Sequence, residues 1–273
     1  MKKNLFLIFY LFALTIFAQK NEINYSFGEF TFSENTEAYL FGNNVRLRNE
    51  PNTESIEIDK LGILTKIIIL EKTENSQIIN GVKSNWVKIQ AQDKIGYILD
   101  NFISCSFLST DSTIYLSRII KENKSYFLDI RKIDSRKLKA NAVQIKFKIP
   151  HSNISVKSYG NKGIANISNI IFIEYLSEAC MMPGGGKYLF LKNGEIIIDI
   201  ELSKVSEAGM FWHTEKLIFP ESDKNIEDNT IKFIREYGNV VDESSQWYET
   251  KIVERQYKII ENKLVPEFDS KSE

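Results

Sequence analysis

The chain has 273 residues, of which 43% are apolar and 26% charged, with 13 Gly and 5 Pro. This balance excludes a disordered, collagen-like or multi-span membrane protein and predicts globular material with enough chain for a sizeable core. The formal charge of −1 leaves no overall basic field that would point to nucleic acid or anionic lipid. With two His and two Cys, the sequence offers few ways to build a metal or covalent site.

The first 18 residues have the pattern of a secretory signal peptide. Lys2 and Lys3 precede an apolar run at residues 5–18 in which only Thr15 is polar. The run is shorter than the ~20 residues of a membrane-spanning helix, so we expect cleavage after Ala18, with an uncleaved N-terminal anchor as the alternative. We therefore predict an exported protein (periplasmic, cell-surface or extracellular) that meets the membrane only through this segment during export.

The next part of the chain is a lead-in at residues 19–43, followed by a compact unit at residues 44–104. In the lead-in, alternation around Phe30 and Phe32 predicts one strand. In the compact unit, short β-patterned segments succeed one another and no amphipathic helix is present, which predicts a small β-barrel. The expected strands are at residues 45–48, 65–71, 86–90 and 95–98, with residues 101–104 closing the unit and residues 73–85 forming a long loop.

Four motifs follow one another in the compact unit: VRLRNEP at residues 45–51, WVKI at 86–89, IGYI at 95–98 and NFIS at 101–104. Their order and spacing resemble the bacterial SH3 (SH3b) domain family. The resemblance covers about residues 44–104, under a quarter of the chain. One departure is Leu64, which stands where the family usually has a Gly, just before the second long strand.

The resemblance implies a module that binds cell-wall peptides, targets an enzyme to the envelope or serves as a non-catalytic accessory unit. Its groove would use Trp86 and Tyr97, with Phe102 near the closing turn. Arg46 and Arg48, on one face of a strand, could pair with the acidic groups of a wall peptide. The alternative is that Trp86 and Phe102 belong to the core and that the two arginines form a solvated face.

Residues 107–268 predict a second, larger antiparallel β-domain, a meander or a sandwich. Apolar runs of strand length recur there with turns between them. The strongest signal is Asn193-Gly194 between the runs 188–191 and 195–200, because both residues tolerate positive φ and so favour a tight hairpin. This region resembles uncharacterised C-terminal regions of secreted Flavobacterium-like SH3-domain proteins, which implies no site. The whole chain is therefore predicted to be all-β.

The cysteines and histidines give few chemical options. Cys105 and Cys180 could form a disulfide after export or remain two separate thiols. Cys180 with His151 or His213 is the candidate set for a cysteine hydrolase, but the residues around Cys180 give no sign of the helix start that activates such a thiol. The two histidines lack metal-ligand spacing. We predict no catalytic residue, no metal and no cofactor.

Together these patterns predict an exported, non-enzymatic envelope protein. Its SH3b-like module would bind a peptidoglycan peptide or an envelope protein, and the protein would bind no nucleic acid. Two alternatives stay open. One is a secreted cell-wall hydrolase with a site in the C-terminal domain; the other is a structural barrel that leaves the C-terminal sheet as the interaction surface.

Overall fold

A computed structural model of the chain describes residues 24–26, 29–32, 34–110, 112–137, 143–207, 210–242, 244 and 247–269. The predicted signal peptide and its cleavage point lie outside the described residues. Within them, no helix is both long enough and apolar enough to cross a membrane. The protein is all-β, as the sequence predicts. The helical elements in the described part are two 3-10 turns, at Asp100–Phe102 and Ser135–Lys137.

Twenty strands make up the fold. The first eight are β1 (Asn24–Ser26), β2 (Glu29–Thr31), β3 (Thr36–Tyr39), β4 (Val45–Arg48), β5 (Glu57–Leu61), β6 (Lys66–Ile79), β7 (Val82–Ala91) and β8 (Lys94–Leu99). The others are β9 (Ser106–Thr110), β10 (Thr113–Glu122), β11 (Ser125–Asp134), β12 (Val143–Ile149), β13 (Ile154–Ser158), β14 (Asn169–Tyr175), β15 (Gly184–Lys192), β16 (Glu195–Glu207), β17 (Phe211–Ile218), β18 (Thr230–Asp242), β19 (Trp247–Ile260) and β20 (Lys263–Val265).

The first sheet has six antiparallel strands in the order β3-β6-β7-β8-β4-β5. Apolar residues alternate with polar ones along its strands, so one face is buried: Leu47, Ile69 and Ile89 are all fully buried in a common core. The predicted strands at 45–48, 65–71, 86–90 and 95–98 all lie in this sheet. The sheet also contains β3, which belongs to the predicted lead-in. The six-stranded sheet therefore begins before the predicted boundary at residue 44.

The prediction of a long loop at residues 73–85 is wrong. Strands β6 and β7 run through this stretch as one hairpin whose turn is Asn80-Gly81, with φ of 50° and 74°. Both turn residues are left-handed, as a two-residue hairpin turn requires. The tip of this hairpin, named here the Gly81 hairpin, rests against β10: Lys121 N–H donates to the Asn80 carbonyl at 2.9 Å.

The remaining strands form two sheets. Strands β13 to β20 pair each with the next, so the predicted meander is present, and β2-β1 extend it beyond β13 into a curled, ten-stranded half-barrel. A four-stranded sheet, β12-β11-β10-β9, shares a core with it in which Ile119 and Leu128 pack with Ile171 and Leu189. The predicted Asn193-Gly194 hairpin joins β15 to β16, with φ of 52° and 76°.

The six-stranded and four-stranded sheets are joined through Phe41. This ring is fully buried and lies between two guanidinium groups, those of Arg118 and Arg131, each 4.5 Å from its centroid. Arg131 Nη1 also donates to the Phe41 carbonyl at 2.6 Å, and Arg118 Nε donates to buried Asp129 at 3.0 Å. At this junction, both guanidinium groups make cation–π contacts with the Phe41 ring, and each also donates a hydrogen bond. These contacts offset the cost of burying the two charges.

Candidate functional site

Four of the five predicted groove residues lie on the face of the six-stranded sheet that points away from its core. Arg46 and Arg48 alternate with core residues on β4, and Trp86 alternates with core Val87 on β7. Tyr97 on β8 is the direct cross-strand neighbour of Arg48 on one side and of Lys88 on the other. The structure thus places an aromatic side chain between two cationic side chains on three adjacent strands.

The two arginines share this face but differ in environment. The Arg46 side chain is 61% exposed and pairs with Glu57 at 3.3 Å. Arg48 is buried, and its Nη1 donates to the Ser55 carbonyl at 2.6 Å, where it stabilises the turn that follows β4. Arg46 can therefore meet an acidic ligand in exchange for its solvent-exposed pairing with Glu57, whereas Arg48 already serves the fold.

The structure does not place Trp86 and Phe102 in the open groove that the sequence predicted. Trp86 lies on the face that points away from this core but is only 5% exposed, so its ring is buried by what covers that face, in keeping with the buried alternative that the sequence left open. Phe102 lies in the 3-10 turn after β8 and packs against the core of the six-stranded sheet. The assignment of these two rings to an open groove is corrected accordingly. Of the predicted residues, Arg46 and Tyr97 remain at least partly exposed on this face. The structure adds two neighbours that the sequence did not indicate, Lys88 and Ile95, and we call the surface of these four residues the Tyr97 face.

The two cysteines are not bridged. Cys105 is partly buried at the start of β9, where its Sγ lies 3.1 Å from Ser117 Oγ, and burial raises the pKa of its thiol to about 11. Cys180 is exposed in the segment between β14 and β15. A thiol with a raised pKa is a poor nucleophile at neutral pH, so Cys105 lacks the low pKa expected of a cysteine hydrolase nucleophile.

A polar cleft lies in the ten-stranded sheet, outside the region that the sequence pointed to. Its volume is about 640 Å³. At its base, Glu215 and Arg235 form an ion pair with Nε–Oε1 of 3.0 Å, and both side chains are 3% exposed. Glu215 also accepts from Ser203 N–H at 2.8 Å. The lining includes Tyr175, Ser203, His213, Glu215, Arg235 and Tyr237.

Ser203, His213 and Glu215 bring a hydroxyl, an imidazole and a carboxylate together without the geometry of a catalytic triad. Ser203 Oγ lies 2.9 Å from His213 Nε2, and Glu215 Oε1 approaches the same ring nitrogen at 3.6 Å. In a triad the carboxylate binds the other nitrogen and the serine passes its proton to the imidazole. Here Ser203 Oγ donates to Glu215 Oε2 at 3.1 Å instead. The hydroxyl and the carboxylate therefore both lie at the same ring nitrogen of His213, an arrangement that differs from that of a triad.

The histidines have separate surroundings. His151 Nε2 lies 2.7 Å from the Pro183 carbonyl, and the His213 ring meets Tyr237 edge-on at 4.6 Å. Among the described residues, no group of three His, Cys, Asp or Glu side chains is placed to hold a metal ion.

Sequence reasoning missed Ser203, Glu215 and Arg235 because they come from three different strands. Glu215 and Arg235 are cross-strand partners on β17 and β18, a pairing that depends on register. The one local signal was His213 and Glu215 at i and i+2, which places both side chains on the same face of a strand.

A second feature without a sequence signal is a buried polar cluster beneath the Gly81 hairpin. Asp100 is fully buried; its Oδ1 accepts from Ser84 Oγ at 2.7 Å, and Ser84 Oγ accepts from Asn101 N–H at 3.0 Å. Burial raises the pKa of the Asp100 carboxyl to about 6.

No family model, no curated protein and no solved structure matches the chain. Its functional interpretation therefore rests on its own residues and geometry.

Proposed function

We propose that the protein is an exported, non-enzymatic envelope protein that binds a cell-wall peptide, or a protein partner in the envelope, through the Tyr97 face. The apolar run at residues 5–18 supports export, and the SH3b-like order of motifs at residues 44–104 supports a binding module. The proposal assigns the six-stranded sheet to recognition and gives no catalytic role to the cleft of the ten-stranded sheet.

The observation that carries the proposal is the position of Tyr97 beside Lys88 on the adjacent strand, on the same face as Arg46. A tyrosine ring offers apolar area together with a hydroxyl, and the ammonium of Lys88 attracts carboxylates. Arg46, with its largely exposed side chain, and Ile95, which is 51% exposed, extend this surface. A wall peptide carries both carboxylates and small apolar side chains, so its chemistry matches this combination.

The test is calorimetric titration of the mature chain with a soluble, carboxylate-bearing wall peptide. The paired substitution Tyr97→Ala with Arg46→Ala should weaken binding roughly tenfold or more, because it removes the aromatic surface and the accessible cation. The Arg46 side chain is largely exposed and Tyr97 is half-buried on the face away from the core, so the thermal unfolding midpoint should stay close to that of the unaltered protein. Trp86 is unsuitable for this test since its loss would disturb the interior.

A matched control is Tyr126→Ala, on the four-stranded sheet, with Arg136→Ala, in the 3-10 turn that follows β11. Tyr126 is half-buried with the Lys121 ammonium 4.9 Å from its ring centroid, and Arg136 is an exposed arginine paired with Asp134. This variant should bind the peptide as the unaltered protein does. If the test and control variants bind the peptide with equal affinity, the Tyr97 face is not the binding site.

A wall hydrolase working from the polar cleft is the second candidate. It is favoured by one observation, the 2.9 Å contact between Ser203 Oγ and His213 Nε2. Release of soluble fragments from wall material would support it if the release disappears in Ser203→Ala. Persistence of release in Ser203→Ala and its loss in Cys180→Ala would instead identify a thiol hydrolase.

A further inference from the structure

The ten-stranded sheet carries a partly exposed aromatic surface on strands β16 to β19. Ser206, Trp212, Gly238 and Thr250 are successive cross-strand neighbours, so their side-chain positions form one row across the four strands. By alternation, Tyr248 and Ile252 lie on the same face as Thr250. Tyr248 is 45% exposed and Ile252 is 59% exposed. We call the surface of Trp212, Tyr248 and Ile252 the Trp212 platform.

The indole of Trp212 is held flat against the sheet. It covers Gly238, where a Cβ atom would come within 2.0–2.2 Å of three indole carbons. Trp212 Nε1 donates to Glu236 Oε1 at 2.9 Å, which fixes the orientation of the ring. A glycine opposite a flat aromatic ring stabilises a sheet in its own right. Trp212 stays partly exposed in this position, so part of its ring remains accessible from outside the sheet.

The Tyr248 ring lies next to Trp212 and is tilted relative to it, so the two rings form a shallow V-shaped surface. Its ring centroid is 5.7 Å from that of Trp212, and the two ring planes meet at 58°. Ile252 lies four residues further along β19, about 13 Å from Tyr248 at the usual strand rise. The platform is thus an elongated strip, long enough for a short chain of ring-shaped units rather than for a single one.

Groups that form hydrogen bonds surround the strip. Ser206 and Thr250 are exposed in the same row as Trp212, and Glu236 lies beside the indole. Along these strands the nearest ionic side chains on this face, besides Glu236, are Lys204, Lys216 and Glu254. Glu254 is itself paired with Lys232 on the same face at 2.9 Å, so cations and anions are interspersed here and form no patch of one sign that would recruit an ionic ligand.

The strip continues towards a cleft on the same face. Lys204, two residues before Ser206 on β16, lines a cavity of about 480 Å³ together with Phe172, Tyr188 and Lys216. Phe172 and Tyr188 are stacked with ring centroids 4.3 Å apart. The aromatic character therefore extends from the platform into a concave region with polar walls, the combination typical of small-ligand sites.

We infer that the Trp212 platform binds a neutral oligosaccharide. A pyranose ring presents an axial C–H face that packs on the electron-rich face of an aromatic ring, and its equatorial hydroxyls bond to side chains around the rim. Trp212 and Tyr248 supply the aromatic faces; Ser206, Thr250 and Glu236 supply the polar rim. The site is separate from the Tyr97 face and does not rest on the function proposed for it.

The experiment titrates the full mature chain with two neutral probes, a β-linked N-acetylglucosamine trimer and a β-linked glucose trimer, by calorimetry and tryptophan fluorescence. We expect at least one probe to bind with Kd of about 0.1–1 mM. Tyr248→Ala should weaken that binding about tenfold without unfolding the protein, since the side chain is largely exposed. Preference between the probes distinguishes an amino-sugar chain, such as the wall glycan backbone, from a hexose polymer.

Two controls make the result decisive. Trp247→Ala removes a 61% exposed ring from the adjacent position, which alternation places on the opposite face, and Tyr97→Ala removes the peptide surface. Both should leave sugar affinity within about twofold. Trp212→Ala is a weaker test because it uncovers Gly238. Failure of the unaltered protein to bind either sugar overturns the inference, as does binding that Tyr248→Ala and Trp247→Ala weaken equally or not at all.

Discussion

Asp100 shows how a single buried carboxyl sets the pH response of the fold. It is fully buried and receives hydrogen bonds from Ser84 Oγ and from backbone N–H groups, yet burial outweighs them and raises its pKa to about 6. In the unfolded chain an aspartate titrates near 3.9. The folded state therefore holds the proton more tightly, and its stability falls as the pH rises from about 4 to about 6.

Asp100→Asn should remove this dependence. We expect the unfolding free energy of the variant, relative to the unaltered protein, to increase by about 2–3 kcal/mol between pH 4 and pH 7.5, because the amide carries no charge to desolvate. Urea denaturation across this pH range measures the difference. The control is Asp93→Asn at an exposed turn. A difference for Asp100→Asn that stays constant with pH would contradict the expectation.

Leu64 occupies a backbone conformation that suits glycine. Its φ is 64°, in the left-handed region that costs an L-residue about 1–2 kcal/mol. The SH3b resemblance expects a glycine at this place. Leu64→Gly and Leu64→Ala both lose the leucine side chain beyond Cβ. The difference between their unfolding free energies therefore reports mainly the cost of the left-handed backbone conformation. We expect the glycine variant to be more stable than the alanine variant by about 1 kcal/mol in urea denaturation. The reverse order would show that the left-handed conformation is not retained in solution.

At the scale of elements, the Gly81 hairpin couples the six-stranded sheet to β10. A Cβ on Gly81 would come within 2.2 Å of the Lys121 carbonyl oxygen, which is a steric clash. The left-handed φ of 74° at Gly81 is a second, separate cost for any other residue. Gly160 has a similar φ of 67°, but a Cβ there meets nothing within 4 Å. Gly81→Ala should therefore lower the unfolding free energy by about 2 kcal/mol or more, and Gly160→Ala by about 1 kcal/mol. Equal losses in the two variants would mean that the hairpin does not dock on β10.

The elements that could be predicted are those with a local signal. Alternation located β4, β7 and β8, and Asn193-Gly194 located the β15–β16 turn because both residues adopt positive φ. Asn80-Gly81, a dipeptide of the same type, forms the turn of the Gly81 hairpin. The outer part of β6 that precedes it is polar, and for this reason the stretch was predicted to be a loop. Two-stranded ribbons that leave the core need no apolar alternation, so their strands lack the usual signal.

The candidate sites could be predicted only in part. Two members of the Tyr97 face, Arg46 and Tyr97, were predicted from their places in β-patterned segments, whereas Lys88 and Ile95 were not. The burial of Trp86 was not predictable either, since burial depends on what covers the sheet. The polar cleft and the Trp212 platform join residues from separate strands. Their members become neighbours only once strand register is fixed, and register over long separations has no local sequence marker.

At the scale of the whole molecule, Phe41 unites two sheets. Phe41→Ala would remove a fully buried ring from between Arg118 and Arg131, so we expect a loss of about 3–5 kcal/mol of unfolding free energy. Phe127→Ala is the matched control, because Phe127 is only half-buried with the Lys146 ammonium 4.3 Å from its centroid. Its loss should be clearly smaller. Similar losses in both variants would show that the junction contributes little to stability.

The most direct measurement is sedimentation of the mature protein with intact peptidoglycan sacculi, scored for both bound protein and released soluble fragments. It is best done in a Tyr248→Ala background, so that the Trp212 platform does not contribute. We predict that the protein sediments with the sacculi, that it releases no fragments, and that Tyr97→Ala with Arg46→Ala lowers the bound fraction. Fragment release, or binding that the paired substitution leaves unchanged, would contradict a non-enzymatic protein that holds the wall through the Tyr97 face.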